Sequence, residues 1–375
     1  MPLLEPAPVP PHTDLGHVHF IGIGGASMSG IAQLMARLGH RVSGSDAVDS
    51  PALTALAEQG IEVHVGHRAE AVAEADSVVI TSALRADNPE LVAARDRGLP
   101  VLHRSTALAS LTTHQRSARV IAVSGTHGKT TTSAWIAVTL AALGRDPSYV
   151  VGAPIAASQV LPADSFARIG KGPEFVIEAD ESDGSFRQYP ARIVVVTNVE
   201  ADHLDNWGTA EDYAAGFDRF AAAEGVETAV VNIDDAGSRA LAERIGDRVR
   251  VVTYGEHPDA QVRISQVELT DRRSSATVEF DGSGGRIRTA LLGRHNLSNA
   301  AAAYAVGRLV GLSDLQVRMA LERFAGTARR FQLVGEAHQI RVYDDYAHNP
   351  TKVRSALQAA RTAAGRGRLV VCFQP

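Results

Sequence analysis

The sequence predicts an α/β fold in which parallel sheets are covered by helices. Short apolar segments alternate with longer helical segments through most of the 375 residues, and glycine-rich turns separate many of them. This alternation is typical of the β–α units that build parallel sheets. At roughly 150 residues per domain, the length predicts two or three domains.

The first unit, residues 1–113, alternates strands and helices. We predict strands at 17–22, 41–45, 61–65 and 77–81, and helices at 27–38 and 50–59. Gly39 and Gly60 end the two helices, because glycine is favoured just after a helix C-terminus. A polar stretch at 111–119 is expected to link this unit to the next.

The second unit, residues 114–327, is expected to hold a larger sheet. We predict strands at 119–124, 174–177, 193–197, 228–232 and 250–254, and helices at 130–143, 297–310 and 314–324. Residues 262–292 alternate polar and apolar side chains, which predicts antiparallel strands added to the parallel sheet. Ser313 and Gln316 fit a capping box at the start of the last helix.

The third unit, residues 328–375, is short. We predict a strand at 340–343, a helix at 351–364 and a strand at 369–373. So few residues bury too little surface for an independent α/β domain. We therefore expect this unit to be the start of an incomplete domain.

Charge and composition exclude several functional classes. The net charge of −5 argues against a nucleic-acid surface, which needs an excess of Lys and Arg. The single cysteine, Cys372, allows no internal disulfide. Residues 1–14 lack the apolar run of a signal peptide, and no stretch approaches the roughly 20 apolar residues of a membrane span. We expect a cytoplasmic protein that neither binds nucleic acid nor enters a membrane.

A first glycine-rich turn follows the strand at 17–22 and opens a helix. Its glycines, Gly22, Gly24 and Gly25, would let phosphates approach the backbone at a helix N-terminus. Asp46 ends the next strand, where a ribose-binding carboxylate would lie. Ser27 occupies the third glycine position of the dinucleotide pattern. The turn alone therefore leaves NAD, another nucleotide and a turn without a ligand all open.

A second glycine-rich loop, residues 125–130, reads Gly-Thr-His-Gly-Lys-Thr between a buried strand and an apolar helix. This is the context of a phosphate-binding loop, although Val123 stands where the standard loop has its first glycine. Lys129 would neutralise the β- and γ-phosphates, and the Thr130 hydroxyl would hold Mg²⁺. This pattern favours nucleotide binding.

Carboxylates cluster at the ends of two further strands. Residues 178–183 contain four of them, and residues 198–205 add three more with His203. Hard oxygen ligands of this kind suit Mg²⁺ together with substrate phosphates. A solvated acidic loop is the alternative for Asp180 and Asp183. His203 is either a surface histidine or a metal-binding or catalytic group.

Three later segments carry polar groups at predicted element boundaries. Asn296 is either the N-cap of its helix or a contact to a base. The pair at 329–330 is either a solvated basic pair or a phosphate and carboxylate clamp. Residues 344–350 hold more ionisable groups than a turn before Pro350 needs.

Together these segments resemble the Mur ligases in order, spacing and context. The resemblance begins near His17 and rests on 125–132, 178–181, 198–203, 295–299, 329–331 and 345–350. Within that family, the first turn and the form of the loop are most similar to members that join L-alanine to UDP-N-acetylmuramate. A relative that recycles murein tripeptide shares the loop and is the nearest alternative.

The resemblance implies a three-domain architecture and a division of labour. A Rossmann-like domain (1–113) would bind the UDP substrate, a P-loop domain (114–327) would bind ATP and Mg²⁺, and a partial Rossmann-like domain (328–375) would close over them. It implies catalytic roles for Lys129, Glu178, His203 and His348, and Mg²⁺ binding by Thr130, Glu178 and His203. It implies ATP binding by Gly125, Thr126, His127, Gly128, Lys129, Thr130, Thr131, Asn296, Arg329 and Asp345. It implies UDP-substrate binding by Gly22, Gly24, Gly25, Ser27, Asp46, Ser82, His103, Arg104 and Arg330.

Other functional classes remain as alternatives. A nicotinamide-dependent oxidoreductase would use the first turn and leave the second loop idle. A folate-polyglutamate type of ligase has the ATP domain but lacks the first unit. A nucleotide sensor without catalysis is compatible with both glycine-rich segments.

Overall fold

The computed structural model describes residues 3–115, 118–156, 160–162 and 165–374. It confirms the predicted α/β class: two sheets of mainly parallel strands are covered by helices, and a two-stranded hairpin follows them. No helix in these ranges is long and apolar enough to cross a membrane.

The first sheet has five parallel strands in the order β3-β2-β1-β4-β5. Its elements are β1 (Val18–Ile21), α1 (Ala26–Arg37), β2 (Val42–Asp46), α2 (Pro51–Glu58), β3 (Glu62–Val65), β4 (Ser77–Ile80), α3 (Pro89–Asp96), β5 (Val101–His103) and α4 (Arg104–Leu111). The elements α3, β5 and α4 are additional to those predicted. Of the predicted linker 111–119, Leu111 ends α4 and residues 116–117 lie outside the described ranges.

Local sequence explains where these helices begin. Ser50 caps α2 by accepting a hydrogen bond from Leu53 N, and proline occupies the first position of that helix. Asn88 caps α3 in the same way and accepts from Glu90 N and Leu91 N. Such caps satisfy backbone donors that have no partner inside the helix.

The second sheet has the order β15-β14-β13-β12-β11-β10-β6-β9-β7-β8. Its strands are β6 (Arg119–Ser124), β7 (Ser148–Val150), β8 (Ala167–Arg168), β9 (Glu174–Glu178), β10 (Ile193–Val196), β11 (Thr228–Asn232), β12 (Arg250–Gly255), β13 (Val262–Leu269), β14 (Ser274–Phe280) and β15 (Ser283–Thr289). Its helices are α5 (Lys129–Ala142), α6 (Leu204–Trp207), α7 (Ala210–Ala221), α8 (Ala236–Ile245), α9 (Arg294–Leu309) and α10 (Asp314–Leu321). The predicted antiparallel addition is confirmed, because β14 pairs antiparallel with both β13 and β15. The predicted capping box at Ser313 and Gln316 is also confirmed.

The first two units share one hydrophobic core. Leu108 and Leu111 of α4 belong to the same buried cluster as Phe186 and Phe217 of the second unit. On α1, a Cβ added at Gly30 would lie 2.9 Å from the ring of Phe166. Because the helix approaches the second sheet this closely, the two sheets are held in a fixed relation.

The third unit contains β16 (Gln332–Ala337), β17 (Ile340–Asp344) and α11 (Pro350–Ala364). Pro350 begins α11, as expected, and Asn349 caps it. The predicted strand at 369–373 is wrong, since these residues have no regular structure. An apolar run becomes a strand only when a neighbour supplies backbone partners, and β16 and β17 pair with each other instead.

Candidate active site

A cleft lies where the adjacent parallel strands β10, β6 and β9 end. In α/β sheets, ligands bind at the carboxyl ends of strands, near the point where the strand order reverses. Residues of α9 and of the third unit form the opposite side of the cleft. Its lining consists of Thr126, His127, Gly128, Lys129, Thr130, Thr131, Glu178, Thr197, Asn198, His295, Asn296, Ser298, Asn299, Arg330, Phe331, Asp345, Lys352, Ser355 and Ala356.

The loop 125–130 leaves backbone donors free at the start of α5. The N–H groups of Lys129, Thr130 and Thr131 have no acceptor among the described residues. Free N–H groups at a helix N-terminus, with the helix dipole behind them, attract anions such as phosphate. The predicted phosphate-binding loop therefore has the donors that this role requires.

Asn198, which follows β10, holds the loop in shape. Its Oδ1 accepts a hydrogen bond from His127 N at 2.8 Å, and its Nδ2 donates to His127 O at 3.0 Å. Gly128 has a φ of 83°, and an added Cβ would lie 2.8 Å from Asn299 Oδ1. Only glycine combines this backbone conformation with so little space, so the loop is shaped before any ligand arrives.

Lys129 carries the positive charge of the loop. Its Nζ lies 2.7 Å from Glu181 Oε2 and donates to Gly125 O at 2.8 Å. Burial opposes the charge on Lys129, but the carboxylates of Glu181 and Asp180 outweigh burial and raise its pKa. Lys129 is therefore protonated at neutral pH and can neutralise a phosphate.

Thr130 and Glu178 form a pair of oxygen donors beside the loop. Thr130 Oγ1 donates to Glu178 Oε1 at 2.8 Å, and Gly152 N donates to the other carboxylate oxygen. Mg²⁺ takes one or two such oxygens from the protein together with phosphate oxygens. The structure thus brings together two of the three predicted metal ligands.

His203, the third predicted metal ligand, lies outside the lining of the cleft. It precedes α6 with a φ of 53°, and its backbone N–H donates to Asp202 Oδ1 at 2.9 Å. Within the described ranges, no group of three or more His, Cys, Asp or Glu side chains is placed to hold a metal ion. The catalytic and metal-binding roles of His203 therefore stay predictions.

The third unit brings two cations into the cleft. Arg330 Nη2 donates to Thr130 Oγ1 at 3.3 Å and therefore lies beside the loop, while its binding of the UDP substrate stays a prediction. Lys352 of α11 lines the same cleft, and burial together with nearby Lys129 lowers its pKa. Three converging cations favour a polyphosphate ligand. Lys352 is not among the predicted site residues, because a single lysine on a helix forms no motif.

Asp345 and Asn296 line the cleft and also hold local backbone. Asp345 accepts from Phe331 N at 2.7 Å and from Ala347 N at 2.8 Å, and burial raises its pKa. Asn296 is not the N-cap of α9, contrary to one of the two expectations for it. Gly293 is the N-cap with a φ of 102°, because the chain turns there and Asn296 already lies in the first turn.

Arg329 and His348, two other predicted residues, lie outside the lining of the cleft. The Arg329 guanidinium lies 4.7 Å from the centre of the Tyr346 ring. His348 Nδ1 is 2.9 Å from Tyr346 O, and its Nε2 is 3.4 Å from Lys352 Nζ. Both residues therefore lie against side chains or backbone that border the cleft, and their ligand roles stay predictions.

The first glycine-rich turn is closed by its own hydrogen bonds. Gly22 N and Ile23 N both donate to Ser45 O, at 2.8 and 3.0 Å, and Gly24 N donates to Asp46 Oδ2 at 2.9 Å. Gly25 N donates to Gly22 O at 3.3 Å. A ligand at this turn must therefore use donors beyond Gly25 or displace Asp46. The exposed Ser27, at the start of α1, is the predicted residue best placed to supply one.

Ser82, His103 and Arg104 lie at the junction of the first and second units. Ser82 Oγ donates to Asp183 Oδ2 at 2.6 Å and lies 3.0 Å from His103 Nε2. Arg104 Nη2 donates to Asp180 Oδ2 at 3.2 Å. Burial and the adjacent Arg104 lower the pKa of His103 to about 4. These three predicted residues therefore connect the first sheet to the acidic segment behind Lys129.

Family models match most of the chain. The Mur ligase family, catalytic domain, matches residues 17–116, the Mur ligase middle domain matches 123–307, and the Mur ligase, glutamate ligase domain, matches 329–375. The chain belongs to the Mur ligase family. It is 49% identical to the UDP-N-acetylmuramate–L-alanine ligase of Cutibacterium acnes, over 100% of this chain and 79% of that protein. The same identity holds for the ligase of that name from Clavibacter sepedonicus, over 97% of this chain and 74% of that protein.

Solved structures of Mur ligases share the fold. The UDP-N-acetylmuramate–alanine ligase of Thermotoga maritima superposes with a TM-score of 0.80 at 30% identity, over 93% of this chain and 78% of that one. A murein peptide ligase of Psychrobacter arcticus superposes with a TM-score of 0.76 at 26% identity, over 94% of this chain and 77% of that one.

Proposed function

We propose that this chain joins L-alanine to the carboxylate of UDP-N-acetylmuramate at the expense of ATP, a step of peptidoglycan synthesis. The observation that supports this most is the convergence of Lys129, Arg330 and Lys352 on the free amides of α5. A cleft with that charge suits the polyphosphate of ATP. The 49% identity to two ligases of this activity supports the choice of substrates.

The three units take separate roles in this proposal. Residues 1–113 bind UDP-N-acetylmuramate, residues 114–327 bind ATP, and residues 328–375 close the cleft with Arg330, Asp345 and Lys352. The reaction takes place in the cytoplasm, where ATP is available, and the exposed free thiol of Cys372 suits a reducing compartment.

The chemistry requires activation of a carboxylate, because a carboxylate oxygen is a poor leaving group. The carboxylate attacks the γ-phosphorus of ATP, a new O–P bond forms, and the bond to ADP breaks. The amine of L-alanine then attacks the carbonyl carbon, a C–N bond forms, phosphate departs with the C–O electron pair, and the amine loses a proton. Phosphoryl transfer depends mainly on positioning and charge neutralisation, which Lys129, Arg330 and the free amides supply.

The residues present fit Mg²⁺. Thr130 and Glu178 would hold it, since their oxygens meet at 2.8 Å at the edge of the phosphate loop. When bound, the ion neutralises charge on the phosphates of ATP. Lys129 and Arg330 retain their own contacts to this edge and orient the same phosphates.

Recycling of murein tripeptide is the alternative within the family. The murein peptide ligase of Psychrobacter arcticus shares the fold but only 26% identity. The relatives that act on L-alanine share 49%. We therefore favour L-alanine as the amine substrate.

Phosphate release from ATP tests the proposal. We expect release only when UDP-N-acetylmuramate and L-alanine are both present, with glycine and the tripeptide L-Ala-γ-D-Glu-meso-diaminopimelate as comparison amines. Release that requires the tripeptide would indicate the recycling reaction. ATP binding without release under any combination would indicate a nucleotide sensor instead.

A further inference from the structure

A chain of buried polar side chains crosses one face of the first sheet. His17 Nε2 lies 2.9 Å from Ser43 Oγ, and Ser43 Oγ lies 2.8 Å from His19 Nδ1. His19 Nε2 lies 3.4 Å from Glu90 Oε2. All four side chains are buried, and none has a role in the chemistry proposed above.

Glu90 is the charged end of this chain of contacts. It has no exposed surface. Ser45 Oγ donates to its Oε2 at 2.5 Å, and Arg68 N donates to its Oε1 at 3.0 Å. Burial opposes ionisation, but hydrogen bonds from His19 and Ser45 outweigh burial and lower the pKa of Glu90. The side chain is therefore a carboxylate at neutral pH.

The partners of Glu90 lead directly to the first glycine-rich turn. Ser45, whose hydroxyl binds Glu90, is the residue whose carbonyl accepts the N–H groups of Gly22 and Ile23. His67 Nδ1 lies 2.9 Å from the same hydroxyl. Arg68 N belongs to the segment that follows β3. One buried carboxylate thus fixes the ends of β1, β2 and β3 where they meet at the carboxyl edge of the sheet.

A buried carboxylate is costly unless it is fully hydrogen-bonded, and an apolar side chain would fill the same space without that cost. What the carboxylate adds is a fixed position for Ser45 and for the backbone at Arg68. We propose that Glu90 is a positioning residue for the UDP-substrate, one that holds the Gly22 turn and the His67 segment in their ligand-receiving shape without touching the ligand. This inference rests on the proposed function of the first unit.

Glu90→Gln tests the inference, with Glu174→Gln as the matched control. Glu174 is also buried without exposed surface and is ion-paired with Arg145, but it lies at the amino end of β9, away from both glycine-rich segments. Each variant removes one buried carboxylate charge, so a general loss of stability is common to both. Both are made in the full chain, and folding is verified by circular dichroism.

We expect Glu90→Gln to raise the KM and the Kd for UDP-N-acetylmuramate about tenfold, since it weakens charge-assisted hydrogen bonds to Ser45 and Arg68. The KM for ATP and kcat should stay within about twofold, and Glu174→Gln should leave both KM values unchanged. Equal UDP-substrate affinity in the Glu90 variant and the unchanged chain overturns the inference, as does equal weakening by the two variants.

Ser45→Ala gives a second, milder test that does not depend on folding of the Glu90 variant. It removes the hydroxyl between Glu90 and β2, and we expect a loss of about threefold in UDP-substrate affinity. An unchanged affinity overturns the inference. If the unchanged chain binds ATP but no UDP-N-acetylmuramate, the proposed function fails first and the inference fails with it.

Discussion

The two glycine-rich segments have the same position in their sheets but opposite hydrogen-bonding states. Each follows a buried parallel strand and opens a helix. In the first, the amides from Gly22 to Gly25 are all bound by neighbouring backbone or by Asp46. In the second, the amides of Lys129 to Thr131 are free of any described acceptor. One turn is closed by its own strands, and the other is open to a ligand.

The two segments also differ in the charge around them. Lys129 fills the second loop with a buried cation, and Arg330 and Lys352 approach it from the third unit. The first turn offers the carboxylate of Asp46 and the hydroxyl of Ser27 instead. A glycine pattern therefore defines the path of the backbone, whereas adjacent charges and free amides decide which ligand the segment binds.

The largest expected effect is the loss of chemistry on removing the charge of the second loop. Lys129→Met should lower kcat/KM by about 10³-fold, because phosphoryl transfer depends on charge neutralisation at this position. The Kd for UDP-N-acetylmuramate should stay within about twofold. Lys171→Met, at an exposed lysine of the same unit, is the control and should be silent. If Lys129→Met weakens the binding of ATP and of UDP-N-acetylmuramate equally, the two segments do not bind separate ligands.

Each region also contains a largely buried histidine with a lowered pKa, which is neutral at pH 7. Burial lowers the pKa of His295 in the cleft to about 4, and burial with Arg104 does the same for His103 at the first sheet. Because the unfolded chain takes up these protons first, stability is complete above about pH 6.5 and is lost as the pH falls towards 4. The loss should be about 3 kcal/mol for each histidine.

Urea unfolding between pH 7 and pH 4 measures this loss. His103→Asn and His295→Asn should each remove about half of the slope attributable to the pair. If the slope of both variants equals that of the unchanged chain, the histidines are not held neutral, and the assigned burial is wrong.

The glycines of the two segments should differ in their tolerance of a methyl group. Gly22 and Gly125 both have positive φ, at 84° and 135°. A Cβ at Gly22 meets nothing within 4 Å, whereas one at Gly125 would clash with Thr197 Oγ1 and lie 3.0 Å from Asn198 N. Gly22→Ala should lower the free energy of unfolding by about 1–2 kcal/mol from backbone strain. Gly125→Ala should lower the free energy of unfolding by about 1–3 kcal/mol more, because its methyl group is also crowded. Equal losses of stability in the two variants, measured by denaturant titration, would contradict this difference.

The smallest effect is expected from opening the first turn. Asp46→Ala removes the acceptor of Gly24 N and should cost about 1 kcal/mol of stability. Because Asp46 holds the turn while the ligand uses donors beyond Gly25, the variant should weaken UDP-substrate binding without changing the KM for ATP. Asp49→Ala, at an exposed carboxylate nearby, is the control. If only the affinity for ATP changes, the assignment of Asp46 to the UDP-substrate site is wrong.

Sequence patterns were sufficient to predict the strands that are buried on both faces of the sheet. The strands at 119–124 and 228–232 agree with β6 and β11, because continuous apolar runs between turns have few other structures available. The strands β7 and β8 were not predictable in this way, since each has three residues or fewer. The apolar run at 369–373 shows the converse: without a paired neighbour it has no strand structure.

The site was predictable where its chemistry is local in sequence. Lys129 and Thr130 stand in one loop, and Glu178 ends the adjacent strand, so parallel topology brings them together. Lys352 and Glu90 were not predictable, because each is a single charged residue on an ordinary helix. Their roles come from tertiary contacts that no spacing encodes.

Simultaneous binding of two nucleotides tests whether the first glycine-rich turn and the second loop belong to separate ligand sites. UDP-N-acetylmuramate would be titrated calorimetrically into the full chain after saturation with a non-hydrolysable ATP analogue. If the closed turn and the open loop are separate sites, one UDP-substrate should still bind per chain with its affinity retained. If saturation with the analogue abolishes that binding, the two ligands share one site and the assignment of a separate UDP-substrate site is wrong.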